Sequence, residues 1–170
     1  MEIFDQHLHS NFSFDSTEPL INYLANFPDN PIVTTEHLDY QNPAADFHDS
    51  VPDYAAYYRE QELLRQHYGN RVYTGIEIGY TPAAEKLILT YLQAHAFNLR
   101  LLAVHQNGQF DFMQPAVKAY PVREVMRIYY CLLIEALESP VPADILAHFD
   151  YGLRQFDLTP ATLRRPGSYC

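Results

Sequence analysis

Five short segments of this sequence end on side chains able to hold a divalent cation: His7-Leu8-His9, Thr35-Glu36-His37-Leu38-Asp39, Gly75-Ile76-Glu77-Ile78-Gly79, Val104-His105 and Ala147-His148-Phe149-Asp150. Alternation along an extended chain turns His7 and His9 to one side, near enough to share an ion. Taken alone, the pair is as readily a coincidence of spacing. His105 and His148, each behind an apolar run, could equally be neutral imidazoles satisfied by carbonyl groups. Glu77 carries more weight. It is an acid between two isoleucines, flanked by Gly75 and Gly79, and an unpaired carboxylate buried there would be costly. A carboxylate bridging two cations escapes that penalty, and the glycines would let backbone and ligand approach closely. The competing reading is an exposed acid at a strand end.

Other acids lie close by. Asp15, in Asn11-Phe12-Ser13-Phe14-Asp15-Ser16, is placed equally well to ligate a cation or to cap a helix beginning near Thr17. Asp5, Glu36, Asp39 and Asp150 neighbour candidate ligands and could orient imidazoles through their second nitrogen, with surface exposure as the alternative for each. The only cysteines, Cys131 and Cys170, provide neither a disulfide framework nor a thiolate cage, so any metal is held by nitrogen and oxygen. Cys131 reads as a core residue of a helix.

Elements that could position these groups follow from periodicity. Short apolar runs at residues 2–6, 31–34, 71–76, 99–104 and 144–147 read as strands. Between them, Thr17-Glu18-Pro19 opens a helix, and residues 52–67, 82–95 and 121–138 read as three more. Along the last, Val125, Ile128, Tyr129, Leu132, Leu133 and Ala136 recur at helical spacing and should face a core. Strand followed by helix, repeated, implies an α/β fold with a parallel sheet, and such sheets gather ligands at their strand C-terminal ends. All five cation-capable segments lie at those ends. His48, His67 and His95 do not.

Composition narrows the function. At 170 residues, 48% hydrophobic and 19% charged, the chain fits one globular domain spanning residues 1–170. A net charge of −10, with few and scattered Lys and Arg, disfavours a nucleic-acid surface. Phosphate chemistry stays open, because metals or a few arginines can reverse the sign of the potential within a pocket. Neither a secretory leader nor a long apolar span is apparent, so the sequence reads as cytoplasmic, with no membrane partner.

Together, His-x-His, Thr-Glu-His-x-Asp, Gly-Ile-Glu-Ile-Gly, Val-His and Ala-His-Phe-Asp resemble, in order, the motifs of the polymerase and histidinol phosphatase family of metal-dependent phosphoesterases. In detail they are most similar to its histidinol-phosphate phosphatases, over residues 2–156. The resemblance implies a distorted seven-stranded β/α barrel with two to three divalent ions, zinc, iron or manganese, at its mouth. It implies His7 and His9 on a first ion, Glu77 bridging to a second completed by His105 and His148, and Asp15 and His37 on a third. Glu77, His105 and His148 would then be the catalytic set, and Arg154, shortly after the last histidine, would receive substrate phosphate unless it is an ordinary exposed arginine. The implied activity is hydrolysis of a small phosphorylated substrate, L-histidinol phosphate. The alternatives are another phosphoester, phosphotyrosine or a nucleotide end, or a metal-binding remnant without catalysis.

One departure stands out. Such barrels run to roughly 250 residues, and the family carries a late Asp-x-His pair that is absent after Phe156. The expectation is therefore an incomplete barrel of about five β/α units, through truncation, completion by a partner, or survival as an open sheet. Truncation would leave exposed sheet edges.

Overall fold

The computed structural model describes residues 5–69 and 71–159. Its elements alternate as the periodicity predicts: α1 (Leu20–Asn26), β1 (Ile32–Asn42), β2 (His48–Ser50), α2 (Tyr54–Tyr68), β3 (Val72–Gly79), α3 (Glu85–Ala94), β4 (Leu99–Ala103), α4 (Val122–Glu138) and β5 (Ile145–Leu146). The strands form one sheet in the order β2-β1-β3-β4-β5. β1, β3, β4 and β5 run parallel, and β2 pairs antiparallel with the end of β1. The fold is α/β. Barrel closure is not made among the described residues, where β2 and β5 are the sheet edges.

Two expected strands differ from the reading above. Of the first, residues 2–4 lie outside the described residues, and residues 5 and 6 are not in a strand. Here the chain only touches the sheet: Leu8 makes a single parallel bridge to Thr34, and Thr35 N donates to Leu8 O at 2.7 Å. The second strand does not stop at Thr34 but continues to Asn42, because Glu36, His37 and Asp39 are strand residues turned toward neighbours that accept their polarity. β2 was not anticipated. It is short, exposed and polar, and a short polar strand carries no apolar period to detect.

The pleat divides the sheet into two surfaces. Ile76, Ile78, Leu102 and Val104 pack with Ile88 of α3 and with Val125, Tyr129 and Leu133 of α4 in the main core. Ile128 and Leu132 are only partly buried against it, and Met126 is buried in the α4 stripe. On the other surface Leu101, Ala103 and Ala147 form a small separate cluster, next to Glu77, whose register partner is Leu101. Cys131 is only half-buried on α4 and stands outside the main core, which corrects its reading as a core residue; Cys170 lies outside the described residues.

Gly75 is needed where β3 pairs with β1. A Cβ there would lie 2.6 Å from both Thr34 O and Thr35 Cγ2. The carbonyl is fixed by the parallel ladder, so the backbone would have to shift. Gly75→Ala is expected to destabilise the fold by about 1–3 kcal/mol, the usual range for overpacking. A urea midpoint unchanged from wild type would contradict this.

Candidate metal centre

Glu77 sits two residues before the end of β3 with its carboxylate fully buried. Its register partner on β1 is His37, and residues paired in a parallel ladder project from the same face. His105 extends the alternation of Leu101 and Ala103 just past β4. His148 follows Ala147, whose N–H still bonds Leu102 O at 2.8 Å. Across the face, His7 and His9 flank Leu8, which turns the other way and packs in the cluster of Leu20, Leu24 and Tyr57.

Five imidazoles thus converge on one carboxylate, and they divide between its oxygens. On Oε1, His148 Nε2 lies at 2.7 Å and His105 Nε2 at 3.1 Å. On Oε2, His7 Nε2 and His9 Nε2 lie at 3.1 Å and His37 Nδ1 at 3.3 Å. Despite that proximity, Glu77 Oε2 and His9 Nε2 have no hydrogen-bond partner among the described residues. Nitrogens and oxygen gathered without hydrogen-bond alignment are suited to a shared cation, since buried polar atoms are normally paired. Three groups of side chains lie close enough to hold an ion: His7, Glu77 and His148; His9, His37 and Glu77; His37, Asp39 and His105. This all-nitrogen-and-oxygen donor set suits zinc, iron or manganese.

Acids orient the histidines. Asp39 Oδ1 lies 2.8 Å from His105 Nδ1, and its Oδ2 lies 3.0 Å from His37 Nδ1. Asp39 lies against Gly79, where a Cβ would come within 3.0 Å of His105 Nδ1 and overlap the Asp39 carboxylate. Gly75 and Gly79 therefore make room for strand neighbours, not for a ligand as the sequence suggests. Asp15 reaches His9 Nδ1 at 3.0 Å and His37 Nε2 at 3.4 Å. It does not cap α1, whose N-cap position is Pro19 with no side-chain bond.

Glu36 has a different task from the one its position suggests. Fully buried, it accepts from Ser10 Oγ at 2.7 Å, Ser13 Oγ at 2.6 Å and Ser10 N at 3.1 Å. Ser13 Oγ accepts in turn from His37 N at 3.0 Å. The carboxylate thereby fastens the loop carrying His9 and Asp15 to β1. Of the remaining acids, Asp5 accepts from the His7 backbone N–H and Asp150 pairs with Arg154 at 3.2 Å. Neither touches an imidazole.

The charges of the metal-free protein reflect this crowding. Burial pushes the Glu77 carboxyl up, but His105, His148 and His7 outweigh it and hold it well below the usual range. Burial also opposes protonation of His105 and His37. Asp39 and Glu77 nevertheless raise His105 well above its ordinary value, and Asp15, Asp39 and Glu77 raise His37 to about 9. Asp15 is lowered to about 2 by the two histidines against the opposing effect of burial. Protons on imidazoles supply the positive charge that these carboxylates require.

The centre forms the floor of an open pocket of about 770 Å³ that Arg154 also lines. One wall escaped the sequence reading. It contains Asn42, Asp111 and Tyr151, with Asp111 buried in the loop after β4. Tyr151 packs its ring 4.9 Å from that of His148 and donates its hydroxyl to Asp111 Oδ1 at 3.2 Å. Burial and the Asp111 charge push its phenol pKa up, so it remains a donor. Asp111 lies in no cation-ligand spacing, and no sequence signal distinguished it.

No family model matches the chain. A Clostridium acetobutylicum protein named probable histidinol-phosphatase is 29% identical over 152 residues, which are 88% of this chain and 58% of that protein. A Lactococcus lactis histidinol-phosphatase is 23% identical over 180 aligned positions, 96% of this chain and 62% of that one. The crystal structure of histidinol phosphate phosphatase from Lactococcus lactis, complexed with zinc, L-histidinol and phosphate, matches with a TM-score of 0.78 at 21% identity. That match covers 88% of this chain and 59% of the other, so the two share their fold over this span. The chain covers 58% and 62% of the lengths of the two curated relatives.

Two outcomes follow from the geometry. Glu36→Gln turns an amide N–H₂ toward serine donors and should lower stability by about 1–3 kcal/mol, while weakening zinc binding roughly 10–100-fold, as loss of a supporting partner does. Calorimetric zinc affinity equal to wild type would refute the clamp. The His37 contribution to stability of the metal-free chain is complete below its ordinary value of 6.5 and is lost as pH rises through about 9. The Asp15 contribution is complete above 3.8 and is lost as pH falls through about 2. Thermal melts in chelator should therefore be highest between these windows and decline on the alkaline side; a flat profile from pH 6 to 10 would contradict the pairing.

Proposed function

We propose that this chain carries the larger part of a metal-dependent phosphomonoesterase site, that the metals are held at the mouth of a β/α barrel of which it forms about five units, and that the substrate is L-histidinol phosphate. The observation that carries the reading is Glu77, a buried carboxylate whose two oxygens face separate sets of imidazoles. Names of the curated relatives and the zinc, L-histidinol and phosphate bound in the structural neighbour support the substrate.

Glu77 would bridge two ions, with His7 and His9 on its Oε2 side and His105 and His148 on its Oε1 side. Asp15 and His37 would hold a third. Divalent ions bound there supply positive charge to phosphate oxygens and lower the pKa of water for attack on phosphorus. Asp39 holds the rings of His105 and His37 in place through their Nδ1 atoms, keeping His105 Nε2 directed at the centre. Arg154, now paired with Asp150 at the pocket rim, would turn to a phosphate oxygen and offset the acidity of the chain. The pocket size suits a small phosphorylated molecule.

The test is phosphate release from L-histidinol phosphate by the zinc-loaded chain, alongside elemental analysis of zinc. Glu77→Gln and His105→Ala should each lower zinc content and reduce kcat/KM by at least about 100-fold, the upper end of what loss of even an outer-shell partner costs. Full zinc occupancy and undiminished activity in both variants would overturn the assignment.

A further inference from the structure

Asp111 is 4% exposed and lines the same pocket as the histidines. Its Oδ1 accepts from Met113 N at 2.8 Å and Tyr151 OH at 3.2 Å, and its Oδ2 accepts from Asn42 Nδ2 at 3.1 Å. All three donors are neutral. The pocket's other acids, Glu77 and Asp15, each have imidazoles against them, and the pocket's arginine, Arg154, pairs with Asp150. A carboxylate buried among neutral donors lacks the countercharge that ordinarily offsets desolvation. It also has capacity left, since an ionised carboxylate offers about four acceptor positions and three are taken.

The position is informative as well. Tyr151 lies with its ring 4.9 Å from His148 and 5.1 Å from His105, while its hydroxyl reaches Asp111. One phenol therefore spans the distance from the metal-facing floor to this carboxylate. A phosphate ester with its phosphoryl group on the floor would lay its alcohol portion along Tyr151, with a nitrogen of that portion within reach of Asp111.

We infer that Asp111, supported by Asn42 and Tyr151, is a subsite for a cationic nitrogen on the alcohol portion of the substrate, and that it selects amino-alcohol phosphates over neutral ones. The inference rests on the phosphomonoesterase reading for the placement of the phosphate. A charged ammonium donating to Oδ2 would complete the acceptor capacity of Asp111 and supply its missing countercharge, in a charge-assisted bond stronger than a neutral one.

Calorimetric titration of the zinc-loaded chain with L-histidinol and with its analogue lacking the amine, imidazolyl-propanol, reads the subsite directly. The wild type should bind the amine roughly 10–100-fold more tightly, the range for a hydrogen bond to a charged group. Asp111→Asn should bring the two affinities within about threefold, and the kcat/KM ratio for the two corresponding phosphates should fall in parallel. A wild-type chain without preference for the amine overturns the inference, and that measurement needs no variant to fold. So does an Asp111→Asn chain that keeps the preference. If the preference follows the imidazole ring, seen when ethanolamine and imidazole compete as separate probes and only imidazole is weakened by the substitution, amine recognition is refuted. Failure of the chain to hydrolyse any phosphomonoester would instead count against the proposed function, while the calorimetric preference would still decide this subsite.

Discussion

The buried carboxylate of Glu77 is the constraint around which the rest of the molecule is arranged. Placed at the end of an apolar strand, it must find positive charge or hydrogen-bond donors, since water cannot reach it. Five histidines from four separate parts of the chain answer that need, and three of them are themselves restrained by acids. Asp39 holds two of them, Asp15 holds two, and Glu36 fastens the loop that brings the N-terminal pair across. Acid and imidazole alternate from the pocket floor into the protein. Removing one member leaves its neighbours buried and unpaired, so the centre is expected to fail as a unit.

Register makes this convergence possible. Because side chains alternate with a period of two, Glu77 shares a face with His37 opposite it and with Leu101 on the other side. Ile76 and Ile78 are thereby directed into the helix-covered core. A slip of one residue between β1 and β3 would exchange the surfaces, putting the acid among Ile88 and Tyr129. Gly75 and Gly79 guard the register at two points, admitting the Thr34 carbonyl and the Asp39 carboxylate where any Cβ would collide.

How much of this was legible in the sequence depended on the kind of signal. The helices carried apolar stripes with a period of 3.6 and were located within a few residues. His7, His9, His37, Glu77, His105 and His148 were recognisable because each stands at the end of an expected strand, and the structure brings all six together. The roles of neighbouring acids were legible only in part: of the four that could orient imidazoles, Asp39 alone does. Glu36 and Asp39 lie three residues apart in one strand, yet one clamps serines and the other orients imidazoles, a difference set by residues distant in sequence. β1 was read short because a strand with buried polar groups on its face has no simple hydropathic alternation. Asp111 and Tyr151 were missed because their relationship exists only in three dimensions, across 40 residues.

The overrun of β1 beyond β3 has a separate consequence. Their pairing ends at Asp39 and Gly79, while β1 continues to Asn42 and turns into the hairpin with β2, through left-handed residues Gln41, Asp46 and Phe47. Asn42, Ala44 and Ala45 of this projection form part of the pocket wall and none contributes to the floor. Wall and floor of the pocket thus come from different pieces of one continuous stretch of chain. Insertions or exchanges at the hairpin tip can reshape the wall of the pocket while the ladder beneath stays in register, so the outline of the pocket can change without disturbing the centre itself.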